Sequence, residues 1–418
     1  MDGIKKLTVI AASQPHAAFA AFTQCMQGQC TFLCRSMPDV AHLFVRLEDE
    51  IHLHFLPSLL RREINSLERA VLSLPARFGG LGILKPNVIS VDAHENSMRL
   101  SAPLVKLIIK QEMNLEPTEI NFDVKQTRMQ IDEDIEKMQK AKLEQLLLEA
   151  PEVLKSAMKN TVEKGASSWV TATLLYDHNT VLHKGDFVDA MYMRYGWTLP
   201  DLPLKCPCGA SFSLQHALDC KLGGFRTIQH NEVRDLFGDL MREAGHTVEI
   251  EPKLQKLSGE GFDYKSANKE DDARSDLKVT GFWREMRQAY FDVKVVSPFA
   301  RSYSHLTQAS ILKTAEKSKL REYKERIREV EHADFNPLVI TTVGAMGPQC
   351  QIVVKKLAEK LSAKKGLMRS VVTGWLRVRL SFALLRTSLL CVRGTRRTKF
   401  FNGDVNVEVA VSQAHIAY

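Results

Sequence analysis

The sequence predicts an α/β protein in which a mostly helical region precedes a mixed sheet flanked by helices. Three observations lead to this fold class. Apolar residues recur at helical spacing in the first part of the chain, at Phe44, Leu47, Ile51 and Phe55. A short module rich in Cys and His follows. Beyond Gly224 the pattern runs helix, strand, hairpin, strand, helix, strand, helix, an order typical of an α/β domain.

Length and composition indicate a globular chain with several folded units. At about 150 residues per domain, 418 residues suggest two or three domains. Apolar residues make up 44% and charged residues 25%, which is ordinary for a protein with a hydrophobic core. The most apolar stretch, residues 371–392, contains three arginines, so we expect no membrane span. The eight cysteines, without a secretion signal, predict thiols or metal ligands and an intracellular location.

Five segments are predicted along the chain: a helical region 1–115, a charged helical linker 116–165, a Cys/His module 166–223, an α/β domain 224–365 and a basic C-terminal tail 366–418. We expect Pro57 to bend or end a helix of the first region, and Pro151 to interrupt the linker. Gly79, Gly80 and Gly82 predict a tight packing loop, because the Lys-Ser/Thr of a phosphate-binding loop is missing.

The Cys/His module has the ligand types of a zinc site. Cys206, Cys208, His216 and Cys220 lie within fifteen residues, and thiolates with imidazole suit tetrahedral zinc. His216 and Cys220 are four residues apart, so a helix would bring both to one face, and Gly209 fits a tight turn. Four protein ligands predict a closed, structural site. The alternative is four unrelated side chains, which the short Cys-x-Cys spacing leaves open.

Residues 271–298 predict two strands joined by a polar turn at 284–288. Side chains alternate along a strand, so Asp292 and Lys294 face one side while Phe291 and Val293 face the other. Asp276, on the first strand, approaches Asp292 and Lys294 if the hairpin pairs in that sense.

Two carboxylates beside an amine suit phosphodiester cleavage. Asp276 and Asp292 can hold Mg²⁺ or Mn²⁺, which activates water and relieves charge on phosphate oxygens, and Lys294 can stabilise the developing negative charge. Two structural alternatives stay open. One is a solvated strand edge with a surface ion pair, and the other is a buried Asp–Lys pair.

The basic residues are concentrated near the C-terminus. Residues 366–400 contain eight Arg or Lys and no Asp or Glu, an excess equal to the net charge of +8 of the whole chain. Such a local excess favours a polyanionic partner, although a solvated helix face is the alternative. The expected contacts to nucleic-acid phosphates come from Arg377, Arg379, Arg386, Arg393, Arg396 and Arg397.

The second half of the chain, roughly residues 166–400, resembles the C-terminal region of site-specific non-LTR retrotransposon proteins. In that family a CCHC zinc knuckle precedes a restriction-endonuclease-like domain. The motifs that carry the resemblance are CPCGASFSLQHALDC (206–220), GGF (223–225), HNEVRD (230–235), EIEP (249–252), DDARSD (271–276), YFDVK (290–294) and EKSKLREY (316–323).

The resemblance implies roles for individual residues. The metal-binding acids fall on Asp276 and Asp292, the catalytic lysine on Lys294, and a basic residue of the site on Arg274. A later helix is implied to contribute Lys319 and Tyr323. The family usually has Pro before the first acid, where this chain has Ser275, and we expect a small effect because Pro contributes only backbone shape there.

The first helix of the α/β domain carries one more candidate. In similar nucleases this helix often presents an acidic or polar group to the metal, which implies a role for Glu232. A solvated position for Glu232 is the alternative from its spacing relative to the apolar stripe. Asn231 is expected to cap this helix.

The resemblance extends to the first region, where SLPARFGGLGI resembles the stretch near the thumb of non-LTR reverse transcriptases. The paired aspartates of the polymerase are absent, so we expect no DNA synthesis by this chain alone. Together these features predict a Mg-dependent endonuclease that nicks double-stranded DNA in the nucleus for target-primed reverse transcription, with element RNA as a further partner. The alternative is a catalytically inactive or repurposed zinc-containing fragment that binds DNA or RNA.

Overall fold

A computed structural model of the chain describes residues 2–111, 117–300, 303 and 306–396, with side chains described for these residues except 117–123. The chain forms two compact units. The first comprises Met1–Val162 and Thr173–Trp197, and the second comprises Glu163–Ala172 and Thr198–Tyr418. The segment 166–223, predicted as one module, therefore contributes to both units. The predicted α/β class is confirmed, since helices accompany a four-stranded mixed sheet.

The first unit is built from ten α-helices within the described residues: α1 (Asp2–Ser13), α2 (Pro15–Gln24), α3 (Thr31–Ser36), α4 (Val45–Glu50), α5 (Leu56–Leu60), α6 (Ser66–Ser73), α7 (Pro86–Lys110), α8 (Pro117–Glu149), α9 (Glu152–Thr161) and α10 (Lys184–Tyr195). Helix α6 begins with a capping box in which Asn65 and Glu68 satisfy each other's backbone N–H groups. Pro151 separates α8 from α9, as predicted.

Pro57 was expected to bend or end a helix, and it does not end it. Helix α4 continues into a π-helical turn, Ile51–Phe55, and then into α5, so the helical run extends to Leu60. Pro57 lies in the first turn of α5. Because proline cannot donate a backbone hydrogen bond, the wider π-turn directly before it adjusts the hydrogen-bonding pattern without ending the helix.

The glycine-rich loop of the first unit is a packing loop. A Cβ on Gly80 would lie 1.9 Å from the carbonyl oxygen of Leu74, so no larger residue fits there. Arg194 is buried and donates a 3.1 Å hydrogen bond from Nη2 to the carbonyl oxygen of Gly80. Gly79 adopts a φ of +87°, a conformation that favours glycine. The close approach of neighbouring groups to the backbone of this loop explains why glycines occupy these positions.

The second unit contains α11 (Leu214–Asp219), α12 (Phe225–Glu243), β1 (Thr247–Ile250), β2 (Leu277–Thr280), β3 (Gln288–Val296), α13 (Gln308–Glu329), β4 (Asp334–Thr341), α14 (Pro348–Lys365) and α15 (Arg369–Arg393). The sheet has the order β1-β2-β3-β4. Strands β1, β2 and β3 pair antiparallel, and β4 pairs parallel to β3 through the crossover helix α13. The α/β pattern predicted after residue 224 is confirmed, with the observed order helix, three strands, helix, strand and two helices.

The two faces of β3 are buried against different helices. Phe291, Val293 and Val295 belong to a core that also contains residues of α12, α14 and α15. On the opposite face, Tyr290 and Val296 pack in clusters with residues of α13. The side-chain alternation predicted for β3 is thus confirmed. It leaves Asp292 and Lys294 on the face that α13 covers.

The predicted basic tail is wrong as a description of residues 369–393, because this segment is helix α15. Val372, Leu376, Leu380 and Leu384 recur every four residues and are almost fully buried in the core of the second unit. An apolar stripe of this spacing packs a helix against a core even when arginines occupy the other positions of the helix. Within the described part of the chain, no helix is both long and apolar enough to cross a membrane.

Arg326 of α13 makes several contacts with the long connection between β1 and β2. Arg326 is fully buried and donates from Nη1 to the carbonyl oxygens of Asn268 (3.0 Å) and Glu270 (2.8 Å). Its Nη2 donates to the carbonyl oxygen of Gln255 at 3.0 Å. This guanidinium therefore satisfies three backbone acceptors of a connection that forms no regular secondary structure.

We expect Arg326→Met to lower the free energy of unfolding of the second unit by about 3 kcal/mol or more, because it leaves three carbonyl groups without their donor. Urea unfolding followed by tryptophan fluorescence measures the change. Arg321→Met is the matched control, since Arg321 lies exposed on the same helix. Equal stability of the two variants would contradict this role of Arg326.

Candidate functional site

The two candidate acids lie where the ladder between β2 and β3 ends. The last pair of this ladder is Leu277 opposite Phe291, so Asp276 directly precedes β2 and Asp292 directly follows Phe291 on β3. Beyond this pair, the side chain of Asp276 contacts β3 by accepting from the backbone N–H of Val293. Burial is the largest cause of the raised pKa of Asp292, and the negative charge of Asp276 raises this pKa further. The antiparallel pairing of β2 with β3 brings this negative charge near Asp292.

Both oxygens of Asp276 are held by hydrogen bonds. Oδ2 accepts from the backbone N–H of Val293 at 2.6 Å, and Oδ1 lies 3.0 Å from Nε2 of His230 on α12. The neighbouring Ser275 is buried, and its Oγ donates to the carbonyl oxygen of Phe291 at 2.9 Å. Its N–H donates to the carbonyl oxygen of Pro252. Neither of these two bonds is available to a proline at position 275.

Asp292 is buried beneath α13. It is 4% exposed, and Lys319 Nζ lies 3.0 Å from its Oδ2. Burial raises the pKa of Asp292 to about 6, against the opposing effect of Lys319. Burial is the largest single effect on the pKa of Lys319 and lowers it, but the charge and close contact of Asp292, together with Glu322 and Tyr323, raise this pKa above its ordinary value. The two side chains therefore form a buried ion pair that joins β3 to α13.

Lys294 and Tyr323 complete this face of the sheet. Lys294 is half-buried, and its pKa is lowered by burial and by the positive charge of Lys319. Among the described residues, Lys294 forms no ion pair. Tyr323 is buried beside Lys319, whose Nζ lies 5.2 Å from the centre of its ring. Burial and the negative charge of Asp292 raise the pKa of Tyr323 to about 12.

Arg274 lies at the exposed margin of the acid pair. Its Nη1 is 3.7 Å from Oε2 of Glu251, and about half of its side chain is exposed. Glu251 also pairs with Arg234 of α12, and the N–H of Glu251 donates to the carbonyl oxygen of Asp276 at 2.9 Å. Arg274 is therefore positioned near Asp276 by a carboxylate that also joins α12 to the sheet.

The structure does not bring Glu232 to the acid pair. Glu232 is exposed on α12, and the charges that act on it are those of Asp235, Arg386 and Asp239. The same helix instead directs His230 to Asp276. Helix α12 begins at Phe225, so Asn231 lies inside it and the predicted cap at Asn231 is wrong.

His230 is the site residue that sequence reasoning missed. It precedes Val233 and Phe237, two fully buried residues of α12, by three and seven positions. A histidine at this spacing lies on the buried stripe of an amphipathic helix. The sequence therefore carried a signal for His230: a polar side chain on the buried stripe of a helix requires a hydrogen-bonding partner from another element.

The four predicted ligands of the Cys/His module come together. Their ligand atoms all lie within 4.8 Å of one another, so the group could hold a metal ion. The Sγ atoms of Cys206 and Cys220 are 3.8 Å apart, and Cys208 Sγ lies 3.3 Å from His216 Nε2. Gly209, with a φ of +91°, forms the tight turn after Cys208.

Backbone hydrogen bonds preform this cluster, which we call the knuckle (residues 206–220). The N–H of Cys206 donates to the carbonyl oxygen of Ala210, and Ser213 caps α11 by accepting from the N–H of His216. The backbone N–H of Ala210 lowers the pKa of the Cys208 thiol, whereas burial raises that of Cys206.

Arg396 supports the knuckle, and the prediction that it contacts nucleic-acid phosphates is wrong. Arg396 is buried, and its Nη2 donates to the carbonyl oxygens of Ala217 and Cys391. Its guanidinium also lies over the rings of Phe212 and Phe225, at 5.1 and 4.9 Å from their centres. These contacts occupy the group and join α11, α12 and α15.

The other predicted nucleic-acid contacts on α15 are partly engaged in packing. Arg377 is half-buried, which lowers its pKa, and Arg379 lies 3.5 Å from Glu243. Arg386 is also half-buried, and Arg393 donates to the carbonyl oxygen of Pro200 at 3.0 Å. Arg397 lies outside the described residues. The contacts of these arginines with nucleic acid stay a prediction.

We expect Lys319→Met to lower the free energy of unfolding by about 3 kcal/mol, because it leaves the buried carboxylate of Asp292 without its counter-charge. The double variant Asp292→Leu/Lys319→Met should recover most of this loss, since apolar groups of similar size replace both charges. Urea unfolding of the two single variants and the double variant completes the thermodynamic cycle. Additive effects of the two substitutions would contradict a direct ion pair.

Comparison with known proteins assigns no family to this chain. No model of a known protein family matches its sequence, and no curated protein matches it.

Proposed function

We propose that the second unit is a metal-dependent endonuclease that nicks double-stranded DNA. The observation that carries this proposal is the position of Asp276, whose Oδ2 accepts from the N–H of Val293 next to Asp292, together with Lys294 on the same face of β3 as Asp292. Two carboxylates and an amine on a rigid sheet meet the requirements of metal-assisted phosphodiester hydrolysis.

The acid pair suits a hard divalent cation, Mg²⁺ or Mn²⁺. Asp292 Oδ2 is buried and accepts no hydrogen bond of normal geometry among the described residues, although Lys319 lies 3.0 Å away. Such an oxygen retains lone pairs for a cation. Magnesium is commonly held by one or two carboxylates, with waters and phosphate oxygens completing its coordination. When bound, the metal would polarise the phosphate and lower the pKa of a water molecule.

The neighbouring side chains have distinct tasks in this proposal. Lys294, which forms no ion pair with a carboxylate among the described residues, stabilises negative charge that develops on the phosphate oxygens. Lys319 keeps Asp292 ionised in its buried position, and Tyr323 packs beside Lys319. Arg274, at the exposed margin, holds a phosphate of the bound strand.

The knuckle in this proposal holds a structural zinc ion. Two thiolates bound to one tetrahedral zinc at about 2.3 Å lie roughly 3.8 Å apart. The Sγ atoms of Cys206 and Cys220 have that separation. Since Cys208 and His216 supply two further ligands, no coordination position is left for a substrate.

The biological setting follows from the resemblance to non-LTR retrotransposon proteins. It supports target DNA as the substrate, element RNA as a further partner and the nucleus as the site of action. The nick would leave a 3′-hydroxyl for a polymerase, and the paired aspartates of a polymerase are missing from this sequence.

We expect the chain to nick supercoiled plasmid in Mg²⁺, and Asp292→Asn and Lys294→Met to reduce the nicking rate at least about 100-fold. DNA binding, measured by fluorescence anisotropy without divalent metal, should be retained in both variants. Lys278→Met is the matched control, because Lys278 is a half-buried lysine on the adjacent strand β2. Wild-type rates in the Asp292 and Lys294 variants would refute the site, and binding without any cleavage would favour a non-catalytic nucleic-acid-binding protein.

For the knuckle we expect one zinc ion per chain by elemental analysis. Cys220→Ser should lose the zinc and lower the thermal stability of the second unit, because the ion links α11 to the turn at Gly209. Cys25→Ser, at an exposed cysteine of the first unit, should retain the zinc. A full complement of zinc in the Cys220 variant would contradict the assignment.

A further inference from the structure

The first acid of the candidate site depends on a group that lies far away in the sequence. His230 Nε2 lies 3.0 Å from Asp276 Oδ1, across 46 residues of chain. An ionised carboxylate can only accept hydrogen bonds, so Nε2 carries the proton and donates it. The other oxygen of Asp276 accepts from the N–H of Val293. The plane of this carboxylate is therefore fixed at both oxygens.

The histidine itself is held by a rigid helix. Gln229, beside it, is buried and donates from Nε2 to Thr387 Oγ1 (3.3 Å) and Ser388 Oγ (3.1 Å) on α15. Val233, one turn later, is fully buried in the core. The side chain of His230 is one third exposed. The backbone of His230 is thus held by its neighbours on α12, while its ring contacts Asp276 and is partly exposed to solvent.

We propose that His230 is the positioning residue of the metal site: its Nε2–H fixes the carboxylate of Asp276 in the orientation that receives the cation. This inference rests on the proposed function, because it assigns the metal to Asp276 and Asp292. A carboxylate held by one hydrogen bond can rotate about its terminal torsion, for which the rotamer preference is broad. A second bond from a fixed donor removes that freedom before the metal arrives.

Hydrogen-bonding partners of metal ligands have measurable effects on affinity. Loss of such a partner typically weakens metal binding or activity by about 10- to 100-fold. Because His230 acts through Asp276, its removal should weaken metal binding in the absence of DNA. A histidine with a purely structural role would change stability and leave metal affinity unaltered.

The test measures Mn²⁺ binding to the zinc-loaded full chain by electron paramagnetic resonance, without DNA. We expect His230→Ala to weaken Asp276-dependent Mn²⁺ binding about 10- to 100-fold. His230→Gln should bind nearly as the wild type does, since the Gln amide N–H can donate from a similar position. Asp276→Asn shows how much Mn²⁺ binding is lost when the site itself is removed. The control is His332→Asn, because His332 is exposed and asparagine tolerates its φ of +52°.

Unchanged Mn²⁺ affinity in His230→Ala, with a loss in Asp276→Asn, would overturn the positioning role while leaving the metal site intact. Wild-type protein without Asp276-dependent Mn²⁺ binding would overturn it as well. Plasmid nicking is assayed separately, so a chain that binds Mn²⁺ through Asp276 and His230 but does not nick would refute the proposed function alone. If His230→Ala fails to fold, the comparison of His230→Gln with a variant lacking the donor, His230→Leu, decides the question.

Discussion

The burial of Asp292 is the constraint on which the second unit depends. An ionised carboxylate that is 4% exposed loses most of its hydration, and the free-energy cost is high unless a counter-charge lies within contact distance. Lys319 supplies that charge from α13, the helix that crosses from β3 to the parallel strand β4. The ion pair therefore fixes the rotation of α13 about its axis. That rotation also directs Tyr323 and Ile327 into the sheet and Arg326 towards the β1–β2 connection.

The polar site is enclosed by apolar clusters on the same face of β3. Tyr290 packs with Tyr323 and Phe335 before Asp292 along the strand, and Val296 packs with Ile311 and Leu312 after it. These clusters limit the access of water, so charges between them interact more strongly than they would at a surface. The same arrangement raises the pKa of both Asp292 and Tyr323. The same residues can thus form the structural ion pair between Asp292 and Lys319 and a candidate site for a cation at Asp292.

The parts of this site that the sequence predicted are those encoded by local spacing. The alternation along β3 separates Asp292 from Val293, and the spacing of Cys206 to Cys220 defines the knuckle, so both follow from short-range geometry. The contact between His230 and Asp276 spans 46 residues and depends on how α12 packs against the sheet, which no local pattern specifies. Arg396, which follows α15, was misjudged for a related reason. Charge composition does not reveal that Arg396 turns inward to backbone carbonyls.

Helix α12 connects the two candidate sites. The last knuckle ligand, Cys220, lies five residues before Phe225, which begins α12 and packs with Leu218 and Cys391. His230 follows Phe225 by five residues, or about 7.5 Å along the helix axis. The knuckle thus anchors the end of α12 that carries His230, while Gln229 and Val233 anchor the turns around it. A metal ion at the knuckle would restrain this end of the helix without touching the acid pair. In this arrangement a structural metal site contributes to the geometry of the candidate catalytic site through one rigid helix.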